Sequence, residues 1–331
     1  MSNFSDIYGY DTIKEHLQSA ISMGKVSHAY IISGGLGSGK KLVASTFAKT
    51  LQCEAGGIEP CGECHSCIQA ESMNHPDIIW VTHEKPGSIG VDDIRGQLVS
   101  DMQIKPYSSP YKIYIIDEAD KLTVAAQNAM LKTIEEPPAY GIVILLASNP
   151  DVFLQTILSR CVVLDLKPLK DEIVVRYLKE HYDNMSDYEC RFASRFAGGR
   201  IGRAMTMAES TEFAELRRDV MDVIENAKDM DSADIMASVK RVASYKLTID
   251  DYLDLMTMWY RDVLMFKSTN DTNLLIFNDK ISLIKSQAET MSYEGLLDII
   301  ESIDRVKVRL QANVNFDLVI ELLIMAIKEN S

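Results

Sequence analysis

The sequence predicts an α/β body, a parallel sheet with helices on both faces, followed by an all-α C-terminal region. Three observations carry this. Short apolar runs alternate with helix-like stretches up to about Pro168, the pattern of a sheet covered on both sides. A Gly-rich turn joins the first run to a helix. Beyond Pro168 the strand signals stop, and the chain reads as helical with few Gly or Pro.

In order, "HAYIISG" (His28 to Gly34) reads as a strand that feeds the Gly-rich turn. "KKLVASTFAKTLQC" has helical spacing, with Val43, Phe47 and Leu51 on one face. "PDIIWV" is a second strand, and "GVDDIRGQLVSDM" a helix with Asp92 and Asp93 in its first turn, where the dipole favours acids. "YKIYIIDEAD" is a buried strand that ends in acids. "TVAAQNAMLKTIEEPP" is a helix capped by Thr123 and stopped by Pro137 and Pro138. "GIVILLASN" and "CVVLDLKPL" complete five strands. "DYECRFASRFAGGRIGRAMTMAES" begins a helical unit punctuated by Gly198 and Gly199. The expected division is a body over 1–167, a small helical unit over 168–208 and a helical domain over 209–331.

The bulk numbers bound function. The chain has 331 residues, with a net charge of −14. Roughly nine units of that charge lie beyond Ala208. Duplex binding relies on Lys and Arg against phosphates, so a free-standing DNA-binding module is disfavoured. There is no apolar run long enough to span a membrane, and the N-terminus lacks a basic-then-apolar leader. Six cysteines without an export signal imply a reducing, cytoplasmic setting and free thiols.

Gly34, Gly37, Gly39 and Lys40 lie in a phosphate-loop pattern, Gly-x-x-x-x-Gly-Lys. Strand, loop and helix are the context that pattern needs. Backbone N–H groups and Lys40 would hold the phosphates of ATP or ADP. The next position, where a Ser or Thr hydroxyl would ligate Mg2+, is Lys41. An ammonium offers no lone pair and opposes a divalent cation, so Mg2+ binding is expected to be weakened. Asp117 is placed to hold magnesium, and Glu118 to orient a water in an active ATPase.

Cys53, Cys61, Cys64 and Cys67 crowd one short stretch. The Cys-x-x-Cys-x-x-Cys core lets three thiolates reach one ion, and a Gly/Pro loop lets Cys53 close a tetrahedron. Four sulfurs describe structural Zn2+, with an iron–sulfur cluster the alternative. His65 is expected to be exposed, and Cys161 and Cys190 to be lone thiols.

Together, "HAYIISGGLGSGKK", the four-cysteine insert, "NHPDIIWV", "IIDEADKLTVAAQNAMLKTIEEPP" and "ILSRC" resemble the AAA+ clamp-loader subunits of bacterial DNA polymerase III over about residues 1–205. The resemblance implies an AAA+ body, a helical lid and a C-terminal collar. It implies a five-subunit ring with gamma/tau and delta subunits that opens a sliding clamp and places it on primer-template DNA during replication. Two departures from the gamma/tau motor pattern stand out. Lys41 replaces the magnesium hydroxyl, and in "GGRIGRA" Gly202 holds the position of a sensor-2 arginine, with Arg200 and Arg203 beside it. The pattern is similar to the delta-prime branch, a stator with weak or no ATPase of its own. The resemblance makes Arg160 of "SRC" an arginine finger that reaches a neighbour's ATP, and Ser148 and Asn149 the sensor-1 region. The enzymatic alternative is a motor ATPase of gamma/tau type that uses Lys40, Asp117 and Glu118. Nothing resembles a polymerase active site.

Overall fold

The computed structural model describes residues 3–331; the first two residues of the expected body lie outside these. Contacts divide the chain into two compact units. One comprises residues 1–177 with 199–203, the other residues 178–198 with 204–331.

The first unit holds five parallel strands, β1 (Ala29–Ser33), β2 (Ile78–Trp80), β3 (Lys112–Ile116), β4 (Gly141–Ala147) and β5 (Val162–Asp165), in the order β2-β3-β4-β1-β5. Its helices are α1 (Asp11–Ser22), α2 (Lys40–Leu51), α3 (His65–Glu71), α4 (Val91–Ile94), α5 (Val124–Glu135) and α6 (Gln155–Leu158). The expected strands are all present, each a little shorter than its apolar run.

Side-chain alternation along the strands splits the core in two. Ile31, Tyr114, Ile116, Val143 and Leu145 pack with Ile94, Leu98, Met130 and Ile134 on one face. Tyr30, Ile32, Ile113, Ile115, Ile144 and Leu146 pack with Leu17, Val43, Phe47 and Leu51 on the other. The central strands are buried on both sides, which is why they read as continuous apolar runs.

One helix differs from expectation. After α4 the backbone loosens into a π-type turn over Arg95–Ser100, then a 3-10 turn over Asp101–Gln103. Gly96 sits in that turn, where the lack of a side chain weakens α-helical preference. Ile94, Leu98 and Met102 stay fully buried, so the core-facing edge survives the change of pitch.

The register brings the loop and the acids to one edge. Ile31 pairs with Leu145, and Leu145 with Ile116. The residues after β1, β3 and β4 therefore emerge together at the carboxyl ends of the strands, where ligands sit on such sheets.

Helix α7 (Asp171–His181) starts in the first unit and ends in the second, and α9 (Ile201–Glu209) likewise, with α8 (Asp187–Ala197) between them. The second unit continues with α10 (Thr211–Asn226), α11 (Ser232–Val242), α12 (Ile249–Thr269), α13 (Ile281–Thr290), α14 (Tyr293–Gln311) and α15 (Phe316–Asn330). Leu253, Met256, Trp259, Val263 and Phe266 of α12 form one buried face. Trp259 Nε1 donates to Gln287 Oε1 at 2.8 Å. Helix α15 buries Val319, Ile320, Leu323, Ile324 and Ile327, yet leaves Leu318, Leu322 and Met325 exposed. Those three are spaced i, i+4, i+7 and share one side of the helix.

Candidate nucleotide-type site, thiol cluster and edge arginine

The Gly-rich loop runs from the end of β1 to the start of α2, whose N-cap is Gly39 with φ 93°. Lys40 is partly buried and folds back on the loop. Its Nζ donates to the Gly34 carbonyl at 2.5 Å and the Gly35 carbonyl at 3.1 Å. Burial lowers its pKa, and the nearby Asp120 and Asp117 oppose that shift. Tyr10 Oη donates to the Ser38 carbonyl at 3.1 Å. Ser38 Oγ is buried without a hydrogen-bond partner.

Lys41 Nζ lies 2.6 Å from Asp117 Oδ2. The residue in the magnesium-hydroxyl position is thus bonded to the carboxylate expected to hold magnesium. The pair takes one oxygen of Asp117, and a divalent ion there would meet an ammonium where it needs an oxygen at about 2.0–2.1 Å.

The acids that follow are also engaged. Glu118 has a left-handed backbone (φ 48°), and its carboxylate lies 2.7 Å from Lys121 Nζ and 4.0 Å from His83 Nε2. Asp120, which no motif in the sequence marks, accepts from the Ser148 N–H at 2.9 Å, Ser148 Oγ at 3.2 Å and the Asn149 N–H at 3.3 Å. Asn149 Oδ1 caps the next turn by accepting from the Asp151 N–H. The Ser148–Asn149 turn is therefore held to the end of β3 by one carboxylate.

The segment 199–203 lies against the loop. The Gly202 N–H donates to the Gly37 carbonyl at 2.9 Å. A Cβ at Gly202 would stand 2.9 Å from that same oxygen, and a Cβ at Gly37 would stand 2.6 Å from the Arg203 nitrogen. The close approach needs glycine on both sides. The Arg200 side chain lies over Gly35, 3.2 Å from where a Cβ there would be.

The four thiols converge. The Sγ atoms of Cys53, Cys61, Cys64 and Cys67 all lie within 4.8 Å of one another, and Cys61 and Cys67 are 3.9 Å apart. Two thiolates on one tetrahedral zinc, each about 2.3 Å from it, stand about 3.8 Å apart. Three backbone N–H groups donate to these sulfurs: Cys61 to Cys53, Cys64 to Cys61, and Cys67 to Cys64. Such donors favour thiolates, and N–H groups lower the exposed Cys61 thiol to about 6. Burial pushes the Cys67 thiol up. The donor set fits one four-coordinate, thiolate-bound ion. Lone Cys161 and buried Cys190 are both raised by burial.

His75 and Asp77 were not singled out from the sequence, although "NHPD" is an unusual cluster before a strand. Asp77 is buried and accepts from the N–H groups of Tyr107, Ser108 and Ser109 at 2.6, 2.9 and 3.1 Å. His75, also buried, accepts at Nδ1 from the Asp77 N–H at 3.0 Å. Its Nε2 therefore carries the proton and donates to Ser66 Oγ at 2.9 Å.

Arg160 follows α6 at the opposite edge of the sheet. Val162 pairs with Tyr30, the second residue of β1, whereas the Gly loop follows Ser33. At about 3.3 Å per residue, the three register steps from Tyr30 to Ser33 set Val162 roughly 10 Å of strand direction back from the start of the loop, and Arg160 precedes Val162 by two residues. Its Nη2 lies 3.0 Å from Glu135 Oε1, and Nη1 donates to the Thr156 carbonyl at 2.9 Å and Ser159 Oγ at 3.1 Å. Nothing in "TIEEPP" shows which glutamate faces α6, so Glu135 carries no signal in the sequence.

Among the described residues, no helix is long and apolar enough to cross a membrane. The family model for "DNA polymerase III, delta subunit" matches residues 9–170, and its C-terminal counterpart matches residues 211–329. The chain is 30% identical over 317 residues to the DNA polymerase III subunit delta' of Bacillus subtilis, covering 95% of this chain and 94% of that one. It is 38% identical over 181 residues to subunit tau of the same organism, covering 54% of this chain and 32% of that one. Among solved structures, a DNA polymerase III gamma subunit-related protein from Thermotoga maritima covers 97% of this chain and 98% of its own, with 18% identity and a TM-score of 0.47.

Proposed function

The chain belongs to the family of delta-prime subunits of the bacterial DNA polymerase III clamp loader, and from that premise we propose that it is a stationary member of the loader, powered by its gamma/tau siblings. The observation that carries this is the Lys41–Asp117 ion pair at 2.6 Å. It neutralises the carboxylate a motor subunit would use for magnesium. The Gly202–Gly37 contact adds to it, because an arginine at 202 would collide with the loop.

ATP or ADP remains a candidate ligand of Gly34, Gly37, Gly39 and Lys40. The buried, unpartnered Ser38 hydroxyl and the N-terminus of α2 offer further polar contacts to phosphate. Nucleotide would bind with little help from Mg2+.

Arg160 acts in trans as the arginine finger. Its support is its place at the sheet edge away from the chain's own loop, together with the family pattern. A guanidinium aimed at a γ-phosphate offsets charge that develops in transfer, and such fingers supply about 10³–10⁵ in rate.

Zinc held by Cys53, Cys61, Cys64 and Cys67 would close the insert after α2 as a structural tie. Residues 1–167 serve as the AAA+ body, 168–208 as the lid and 209–331 as a collar. The exposed Leu318, Leu322 and Met325 stripe on α15 suits packing against sibling collars. The ring has five subunits with gamma/tau and delta, and meets the sliding clamp and primer-template DNA through the assembly, in the cytoplasm.

Steady-state ATP hydrolysis by the isolated chain tests the stator reading. Negligible turnover is expected. Turnover at motor rates that Lys40→Ala abolishes would overturn it. In the reconstituted loader, Arg160→Ala is expected to lower clamp- and DNA-stimulated hydrolysis with the fold intact; unchanged rates would remove the finger assignment.

A further inference from the structure

A guanidinium has five N–H donors and no acceptor. In Arg160, Nη1 is committed to Thr156 and Ser159, and Nη2 is ion-paired with Glu135 Oε1 at 3.0 Å. Thr156 and Ser159 belong to the turn that carries Arg160, so those two bonds travel with it. Glu135 is different. It is the last residue of α5, which begins at the Thr123 cap just after the Asp117–Lys121 turn. It is also the one carboxylate within ion-pair distance of Arg160 among the described residues.

Both partners are about 40% exposed, at 39% and 42%. A pair in that setting adds little to stability. Its effect falls on orientation. A free arginine side chain loses considerable rotamer freedom when it is fixed against a phosphate. A side chain already tied at three points has lost that freedom beforehand. The ties leave Nε–H and one N–H of Nη2 for a second anion, enough for a forked contact with phosphate oxygens.

We propose that Glu135 is a positioning residue for Arg160, holding the guanidinium from α5 so that its remaining N–H groups meet the triphosphate bound by a neighbouring subunit. This rests on the reading of Arg160 as a trans-acting finger.

The test uses the loader reconstituted with its sibling ATPase subunits. Stimulated ATP turnover is measured for wild type, Glu135→Ala, Glu135→Gln, Arg160→Ala and the Ala/Ala double variant, with melting temperatures of each subunit. Glu135→Ala should lower kcat about ten-fold, a part of the finger's about 10³–10⁵, and leave KM nearly unchanged. Glu135→Gln should retain most of the rate, because its amide oxygen still accepts from Nη2. The double variant should match Arg160→Ala alone, as expected for residues acting as a unit. An unchanged or raised kcat in Glu135→Ala, or multiplicative losses in the double variant, would overturn the proposal while an effect of Arg160→Ala keeps the finger. No effect of Arg160→Ala would remove both. If Glu135→Ala melts early, the near-isosteric Glu135→Gln and Glu135→Asp decide: a longer reach lost in Asp should cost rate, and equal rates in Gln and Asp count against the tether.

Discussion

Lys41 and Asp117 are joined at 2.6 Å between the first turn of α2 and the end of β3. Lys41, the charge that would be odd in a motor site, is answered by the carboxylate a motor site would keep for magnesium. Lysine at a helix N-terminus opposes the dipole by about 0.3–1 kcal/mol, and Asp117 offsets that. The same contact sets an ammonium beside the carboxylate, where it opposes a cation.

Replacing the ammonium by a hydroxyl should therefore restore a response to magnesium. In Lys41→Thr, Asp117 loses its partner and a ligand oxygen returns to the helix start. Calorimetric titration with ATP should show affinity at least about ten-fold higher with Mg2+ than with a chelator, a gain of ~1.4 kcal/mol. In the wild type, Mg2+ should make little difference. Equal affinities in Lys41→Thr would mean that the pair is not what excludes the ion.

Restoring a sensor-2 arginine should fail for a steric reason. Gly202 cannot carry a Cβ without pushing on the Gly37 backbone, which lies 2.9–3.0 Å away. Gly202→Arg is expected to lower the unfolding free energy by about 1–3 kcal/mol, the usual cost of overpacking, and to leave ATP turnover negligible. Urea unfolding and a hydrolysis assay measure the two. A gain in turnover would show that the segment can step back from the loop.

The five strands and the Gly loop were legible because each is a local pattern: an apolar run, a glycine spacing, a cap at Thr123. The site's groups were legible one by one for the same reason. Their partners were not, since pairing depends on register between distant strands. Lys41 read as a charge that opposes magnesium, and only the alignment of β1, β4 and β3 brings it to Asp117. Gly202 read as a missing arginine, whereas the close approach to Gly37 makes it a required glycine. Asp120, His75, Asp77 and Glu135 were silent, because an acid or a histidine in a loop carries no sign of what it will bond.

If the four thiols hold a metal, as proposed, its removal should loosen the N-terminal segment as well as the insert. Glu59, within the Cys53–Cys61 loop, accepts from the Phe4 N–H at 2.9 Å and from Gln18 Nε2 at 2.8 Å. Phe4 itself is buried in the core. One zinc per chain is expected by elemental assay. Chelation, or Cys67→Ser, should lower the melting temperature and speed amide exchange at residues 4–7 together with 54–67. Iron in the assay would point to the cluster alternative, and unchanged exchange at residues 4–7 would show that Glu59 holds without the metal.

Acid should weaken the first unit through His75. Burial lowers its pKa below the ordinary 6.5, with Asp77 pulling the other way and His65 adding to the lowering. The fold needs the neutral ring, because Nδ1 accepts from the Asp77 N–H while Nε2 donates to Ser66. As pH falls through 6.5, the unfolded chain takes up a proton at this site before the folded one does. The unfolded state then binds more protons, so stability declines as pH falls, beginning near 6.5 and ending below the folded value. Above 6.5 the contribution is fully present. Buried Asp262 in the second unit, whose pKa is raised by burial, has the opposite slope: its ionisation in the unfolded chain favours unfolding as pH rises above the ordinary 3.8. Urea unfolding between pH 7.5 and 5 on the order of half-unit steps, followed by amide exchange around residues 107–109, separates the two. In His75→Gln the acid slope near 6.5 should flatten, at some cost in stability at every pH; a slope unchanged by that substitution would assign the proton uptake to another group.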